Sequence, residues 1–110
     1  MSYQYKDLAA GRWRKLSFFE QMANIGSEVE RALNWRSKEN TGYSQKAFDR
    51  TLELIDLTLE NTKNTSHFKE ITRIREAIVD HFFGVNQFMS TETLWRSYFS
   101  HFTYAARKNH

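Results

Sequence analysis

Residues 90–108 of the chain read STETLWRSYFSHFTYAARK. The apolar residues of this stretch return at steps of three and four, which is the period of one face of an α-helix. They are Leu94, Trp95, Tyr98, Phe99, Phe102 and Ala106. With Ser90 as the N-terminal cap, this stretch predicts an amphipathic helix whose aromatic face forms one wall of a core.

A second helix is predicted near the start of the chain by a capping signal. Ser17 precedes Glu20 by three residues, so the hydroxyl and the carboxylate can each bond a backbone N–H group that the helix leaves open. The apolar stripe of this helix is Phe19, Met22, Gly26, Val29 and Leu33. Ala23 and Gly26 are small, and we expect them to let a neighbouring helix approach closely.

Two further amphipathic helices lie between these segments. Ser44 is predicted to cap one, whose stripe is Phe48, Leu52, Ile55 and Leu59. Thr65 or Ser66 is predicted to cap the other, which Gly84 ends. The stripe of this third helix is Phe68, Ile71, Ile74, Ile78 and Phe82. Polar residues at 36–43 and 61–65 connect the helices.

The four helices define an expected architecture. The sequence contains no proline, so long uninterrupted helices are permitted. Helices of about 16 to 20 residues joined by short loops favour antiparallel neighbours. We therefore predict an all-α, up-down-up-down, antiparallel four-helix bundle that forms a single domain over residues 12–110, preceded by a loose N-terminal arm, residues 1–11.

Composition excludes several classes of function. Of 110 residues, 40% are hydrophobic and 26% are charged, and no apolar run approaches the ~20 residues that cross a bilayer, so we expect a soluble domain without a membrane segment. Without cysteine there is no thiolate metal site, no histidine follows a glutamate at di-iron spacing, and no glycine-rich phosphate loop is present. We expect neither metal nor cofactor. The first residues do not resemble a secretory signal, which favours the cytoplasm.

Charge suggests a binding surface. Sixteen Lys and Arg against thirteen Asp and Glu give a net charge of +3. In the predicted topology, both chain ends and the loop between the second and third helices share one pole, where seven basic residues would gather: Arg12, Arg14, Lys15, Lys63, Lys69, Arg107 and Lys108. Such a cluster suits contact with phosphates. Alternatively, these residues are a solvated end that complements helix C-termini. Trp13 and Trp35, each beside arginine, are candidates for an exposed stacking surface.

A possible catalytic pair is Arg96 and His101, separated by four residues. The spacing resembles that of HEPN ribonucleases, and Arg75 and His81 give a second version with five residues between them. The resemblance implies that histidine assists proton transfer at a ribose hydroxyl and that arginine stabilises phosphate charge, usually across a dimer. Five helical steps turn through about 140°, so Arg96 and His101 share a face only if the helix bulges. Alternatively, His81 and His101 are half-buried at the borders of apolar stripes and bonded to neighbours.

Four stretches carry a wider resemblance, within residues 13–107: WRKLSFFEQMANIGSEVERALNW, YSQKAFDRTLELIDLTLEN, RIREAIVDHFF and YAAR. They resemble a family of small bacterial and archaeal helical proteins for which the resemblance implies no particular activity. In size, basicity and helix number the chain is also similar to four-helix proteins that accompany RNA, such as ribosomal intervening-sequence proteins and accessory proteins of diversity-generating retroelements. This second resemblance is one of architecture, which by itself does not confer function.

Three functions remain open from the sequence. The first is a non-enzymatic, self-associating bundle that binds RNA or a nucleoprotein partner through its basic pole. The second is a HEPN-like ribonuclease or toxin component. The third is an oligomeric protein-interaction scaffold whose exposed aromatic residues are buried between subunits.

Overall fold

A computed structural model describes residues 11–108, and the prediction of a loose arm therefore lies outside the described residues except at Gly11. A short 3-10 helix, Trp13–Lys15, precedes four α-helices: α1 (Phe18–Ser37), α2 (Thr41–Asn61), α3 (Thr65–Phe83) and α4 (Glu92–Lys108). This part of the chain contains no β-strand. The prediction of an all-α protein with four helices is confirmed.

The start of α1 and the end of α3 are where the sequence predicts them. The Glu20 backbone N–H donates to Ser17 Oγ at 3.1 Å, and the Ser17 N–H donates to Glu20 Oε1 at 3.0 Å. This reciprocal capping box satisfies two donors at the helix start. Gly84 follows the last residue of α3, and its N–H donates to the Asp80 carbonyl at 2.9 Å.

The predicted cap of α2 is wrong. Asn40 caps this helix by accepting from the Tyr43 N–H at 3.0 Å, so α2 begins three residues before Ser44. Ser44 lies inside the helix, is buried, and donates to the Ala32 carbonyl of α1 at 2.9 Å. Asparagine and serine cap helices about equally well, so residue type alone could not decide between Asn40 and Ser44.

The predicted caps of α3 and α4 are also wrong, each by one or two residues. Asn64 Oδ1 accepts from the His67 N–H at 3.0 Å, which places Thr65 and Ser66 inside the first turn of α3. Thr91 Oγ1 accepts from the Leu94 N–H at 3.1 Å, and Ser90 precedes the helix. These shifts leave the registers of the apolar stripes unchanged.

The apolar stripes form one core around α1, whose backbone lies closest to α2 and α4. On α4, Trp95, Phe99 and Phe102 are buried as predicted. The stripe ends are more exposed than predicted, since Phe68 and Leu94 keep 46% and 58% of their surface in solvent. The remaining large core side chains are Trp13, Met22, Ile25, Val29, Leu33, Phe48, Leu54, Ile55, Leu57, Ile71 and Ile78.

Gly26 permits the close approach of α1 and α4. A Cβ atom added there would lie 2.6 Å from Phe99 Cβ, a separation that real Cβ atoms essentially never show. The expected role of Gly26 as a packing residue is therefore confirmed. On the far side of α4, Tyr98 Oη donates to Glu70 Oε2 of α3 at 2.7 Å, and burial raises the pKa of Tyr98, which keeps the hydroxyl protonated as a donor.

The 3-10 helix is fixed to α2 by Trp13. This side chain is only 1% exposed, and its Nε1–H donates to Thr58 Oγ1 at 2.9 Å. The carbonyl of Trp13 in turn accepts from Gln21 Nε2 at 2.9 Å. The prediction that Trp13 is an exposed stacking residue is wrong, because the indole is part of the core. Its burial fixes the position of the adjacent Arg14.

Candidate nucleic-acid interface

Phe18 brings the ends of three helices together. Its ring stacks on the His67 imidazole with centroids 3.8 Å apart and planes within 4°. It also meets the Phe102 ring edge-on at 6.0 Å. The start of α1 therefore lies beside the start of α3 and the C-terminal half of α4. Trp13 adds the C-terminal part of α2 through Thr58.

A polar cleft of about 580 Å³ opens at this end of the molecule. The 3-10 helix and the start of α1 form one wall, and the connection from α2 to α3 forms the other. The lining residues are Arg14, Leu16, Phe18, Gln21, Glu60, Asn61, Thr62, Lys63, Asn64 and His67. Arg14 and Lys63, which are 49 positions apart in sequence, thus supply cations from opposite walls.

The charge of the cleft is mixed. Arg14 and Lys63 carry two positive charges and Glu60 carries one negative charge, so with neutral His67 the lining has a net charge of +1. Two further basic residues, Arg12 and Lys15, are exposed beside Arg14. The cleft together with its rim is therefore basic, but it also contains a carboxylate that accepts hydrogen bonds.

The other predicted basic residues are divided between two places. Arg107 and Lys108 are exposed in the last turn of α4, the helix whose Phe102 contacts Phe18. Lys69 lines a separate groove on α3 with Phe68, Thr72, Arg73 and Glu76. The structure therefore brings Arg14 and Lys63 together and places Lys69 apart from them.

Arg96 is held by acidic residues. Its Nε lies 2.8 Å from Glu30 Oε2, its Nη1 lies 3.4 Å from Glu92 Oε2, and its Nη2 donates to Asn34 Oδ1 at 3.2 Å. The hydrogen bond that Arg96 donates to Glu30 is the main cause that raises the pKa of Arg96. His101 is exposed, and α4 continues as a regular α-helix between the two residues, without the bulge that would bring them to one face.

Arg75 and His81 also have separate neighbours. Arg75 Nε donates to Asp56 Oδ1 of α2 at 3.0 Å, and His81 Nδ1 lies 2.9 Å from Ser90 Oγ. His81 is half-buried and bonded, as the structural alternative predicted, and burial followed by the charge of Arg36 lowers its pKa. The same expectation is wrong for His101, because that imidazole is exposed.

The second tryptophan expected at the surface is only partly exposed. Trp35 packs edge-on against Tyr43 with centroids 4.8 Å apart, and the Lys38 ammonium lies 5.2 Å from its ring centroid. These contacts join the end of α1 to the start of α2. Trp35 thus stabilises the helix connection, at a distance from the cleft that Arg14 and Lys63 line.

Over residues 11–108, no group of three or more His, Asp or Glu side chains is placed to hold a metal ion. No helix in the same range is both long enough and apolar enough to span a membrane. Comparison of the chain with protein-family models, curated proteins and solved structures gives no match. The family resemblances in the sequence therefore stay expectations.

Five polar residues of the cleft were not predicted as site residues, namely Gln21, Asn61, Thr62, Asn64 and His67. The signal was present as the run Asn61-Thr62-Lys63-Asn64-Thr65, which indicates a turn between helices. The position of His67 could not be obtained from that run, because it depends on stacking against Phe18 of α1, 49 residues earlier.

Proposed function

We propose that the four helices form an antiparallel, up-down-up-down bundle. The contacts of Phe18 with His67 and Phe102 support this topology at one end. At the other end, Arg36 of α1 donates to the His81 carbonyl near the end of α3 at 3.4 Å. Arg96, near the start of α4, reaches Glu30 in the second half of α1. Each of these contacts is expected when successive helices reverse direction.

We further propose that the protein binds RNA, alone or within a nucleoprotein, through this end and without catalysing a reaction. The basic pole is defined here as Arg12, Arg14, Lys15, Lys63, Arg107 and Lys108. The observation that carries the proposal is the position of Arg14 and Lys63 on opposite walls of one cleft. Two cations that line one cleft can contact successive phosphates and release counterions, which favours binding.

The polar lining favours RNA within the class of nucleic acids. A volume of about 580 Å³ falls in the range of small-molecule sites, so a nucleotide fits. Asn61 Nδ2 donates to the Leu57 carbonyl at 2.7 Å, which leaves its amide oxygen as an acceptor. Glu60 supplies a carboxylate, an acceptor that repels phosphate but accepts from a hydroxyl. The 2′-hydroxyl of ribose is the donor that RNA has and DNA lacks.

The surroundings of the two arginines support a binding function over nuclease activity. Arg96 and Arg75 are each paired with carboxylates, so their positive charge is already neutralised locally. A catalytic arginine must instead face the phosphate whose charge grows in the transition state.

We place the protein in the cytoplasm, in keeping with a chain that lacks cysteine.

The test compares two double variants that remove the same charge. Arg14→Gln/Lys63→Gln removes both cations from the cleft, whereas Lys46→Gln/Arg73→Gln removes two exposed cations elsewhere on the surface. Fluorescence anisotropy with a labelled single-stranded RNA gives the affinity from about 50 to about 200 mM salt. The cleft variant should lower the slope of log K against log salt by about 1.4, since each phosphate contact on a single strand contributes about 0.7.

The control variant should keep the wild-type slope. Equal slopes for wild type and the cleft variant would refute binding at Arg14 and Lys63. Cleavage of the RNA by wild type, lost in His101→Ala or His81→Ala, would refute the non-enzymatic assignment and favour the HEPN-like alternative.

A further inference from the structure

The connection between α3 and α4 exposes an unusual set of apolar side chains. Phe83, Val85, Phe88, Met89 and Leu94 keep 59%, 82%, 55%, 80% and 58% of their surface in solvent. These five residues lie within twelve consecutive positions and are called the loop patch. Single exposed apolar residues are common on protein surfaces, but a group of five that lie close together is characteristic of an interaction site.

Hydrogen bonds hold the backbone under the loop patch in a defined shape. Asp80 Oδ1 accepts from the Gln87 N–H at 2.9 Å, and Asp80 Oδ2 accepts from the Phe88 N–H at 3.1 Å. The Asn86 side chain closes a second ring, donating to the Ser90 carbonyl at 2.9 Å and accepting from the Ser90 N–H at 3.0 Å. The apolar side chains therefore project from a fixed support.

Met89 adopts a backbone conformation that is unfavourable for its side chain. Its φ is +53°, in the left-handed region that suits glycine and asparagine, and its side chain is 80% exposed. Asn86, at φ +57°, is a residue type that tolerates this region. An exposed methionine in this conformation gains little from contacts within the chain. Strained backbone is concentrated at functional sites, which points to a contact with another molecule.

The occupant that best fits the loop patch is a second copy of this chain. Residues 82–91, FFGVNQFMST, contain no charged side chain, although 26% of the whole sequence is charged. The one charged residue between them and Leu94 is Glu92, whose carboxylate is paired with Arg96 at 3.4 Å. In a two-fold interface each residue faces the same surface on its partner, so a charged patch would oppose like charge. Because residues 82–91 carry no charge, two copies can meet there without repulsion between like charges.

The area of the loop patch is sufficient for a small dimer. With apolar and aromatic side chains of about 150–250 Å² each, the exposed fractions of the five residues correspond to roughly 600 Å² per chain. Two copies would bury roughly 1,200 Å², the lower limit of stable protein interfaces. We therefore propose that the chain forms a two-fold dimer through the loop patch, of moderate affinity.

The dimer would leave the basic pole accessible. Phe83 packs edge-on against Phe48, near the start of α2, with centroids 4.6 Å apart. The polar cleft lies beyond Thr58, near the other end of the same helix. Ten residues of α-helix separate Phe48 from Thr58, or about 15 Å. The two poles of a dimer joined at the loop patch would therefore face away from each other.

Light scattering coupled to size-exclusion chromatography tests the dimer without any RNA, so its result is independent of the proposed function. Val85→Asp/Met89→Asn is the disrupting variant, because asparagine removes the apolar chain while accepting the left-handed backbone. The matched control is Tyr104→Asn, which changes a 69% exposed aromatic residue on α4 away from the loop. Circular dichroism confirms that each variant is folded.

For wild type and Tyr104→Asn, the measured mass should rise from that of the monomer to that of the dimer as concentration increases. For Val85→Asp/Met89→Asn, the dissociation constant of the dimer should be at least tenfold higher. The single variant Met89→Asn should show an intermediate effect. A wild type that stays monomeric up to near-millimolar concentration would overturn the proposal. So would a dimer that the double variant leaves unchanged.

Discussion

Gly26 illustrates how one missing methyl group sets the distance between two helices. An alanine at this position would place its Cβ 2.6 Å from Phe99 Cβ, and the neighbour is a ring attached to a buried helix, not the end of a flexible side chain. Overpacking of this kind costs about 1–3 kcal/mol, against a gain in helix propensity of about 1 kcal/mol. Gly26→Ala should therefore lower the free energy of unfolding, measured in urea, by up to about 2 kcal/mol.

Gly42 provides the matched control for that substitution. It lies in the first turn of α2, and an added Cβ would meet only Asn40 Oδ1, at an ordinary 3.8 Å. Gly42→Ala should therefore stabilise the protein by about 0.5–1 kcal/mol. If both alanines changed stability by the same amount, steric contact with Phe99 would not be the reason for glycine at position 26.

His81 makes stability depend on pH. Burial, followed by the charge of Arg36, lowers its pKa below the ordinary value of 6.5. The unfolded chain therefore binds a proton more readily than the folded chain, and stability falls as the pH drops through 6.5. Thermal unfolding between about pH 7.5 and about pH 5.5 should show this loss, and His81→Gln should reduce it. An identical pH dependence in the variant would contradict the assignment.

Among the secondary-structure elements, two helices begin at an asparagine. Asn40 caps α2 and Asn64 caps α3, each by accepting one backbone N–H. Asn40→Ala and Asn64→Ala should each lower the free energy of unfolding by about 1 kcal/mol, because the helix then loses the acceptor for that donor. The measurement is urea denaturation followed by circular dichroism.

Ser66→Ala is the control for the helix caps. The sequence offered Ser66 or Thr65 as the cap of α3, whereas the structure places both inside the helix, where Ser66 is exposed. Replacing it by alanine should therefore leave stability unchanged or slightly increase it. A loss as large as that of Asn64→Ala would show that the helix begins later than Thr65.

The elements differ in how far sequence could predict them. The four helices follow from periodicity, which is a local property that neighbours along the chain determine. The caps of α2, α3 and α4 do not, because Ser, Thr and Asn compete on nearly equal terms within a few residues. Trp13 lies outside any helical stripe, and its burial depends on Thr58, 45 positions away. No local pattern near residue 13 contains that contact.

At the scale of the whole molecule, the candidate site was predicted in part. The reversal of chain direction between helices predicts that Arg14 and Lys63 approach each other, and the cleft agrees with that prediction. Lys69 was grouped with them because the predicted topology brings the start of the third helix to the same pole, but it lines another groove, on α3. The loop patch could not be predicted, since exposure of Val85 and Met89 depends on a backbone shape that Asp80 and Asn86 impose.

The two proposals together make a prediction about RNA length. In a dimer joined at the loop patch, two basic poles face outward, and each copy is 35 Å along its longest axis, so the poles would be at most about 70 Å apart. An RNA of about 10 nucleotides would occupy one pole, whereas a strand several times longer would engage both. The second contact is then intramolecular and raises the apparent affinity, by as much as about 10²–10⁴-fold where the geometry is ideal.

Val85→Asp/Met89→Asn should therefore weaken binding of the long RNA at least tenfold and leave binding of the short RNA unchanged, when both are measured above the dimer dissociation constant. Arg14→Gln/Lys63→Gln should weaken both, because it removes the phosphate contacts themselves. If the loop variant weakened both RNAs equally, the loop patch would belong to the RNA-binding surface and the two poles would not act as separate sites.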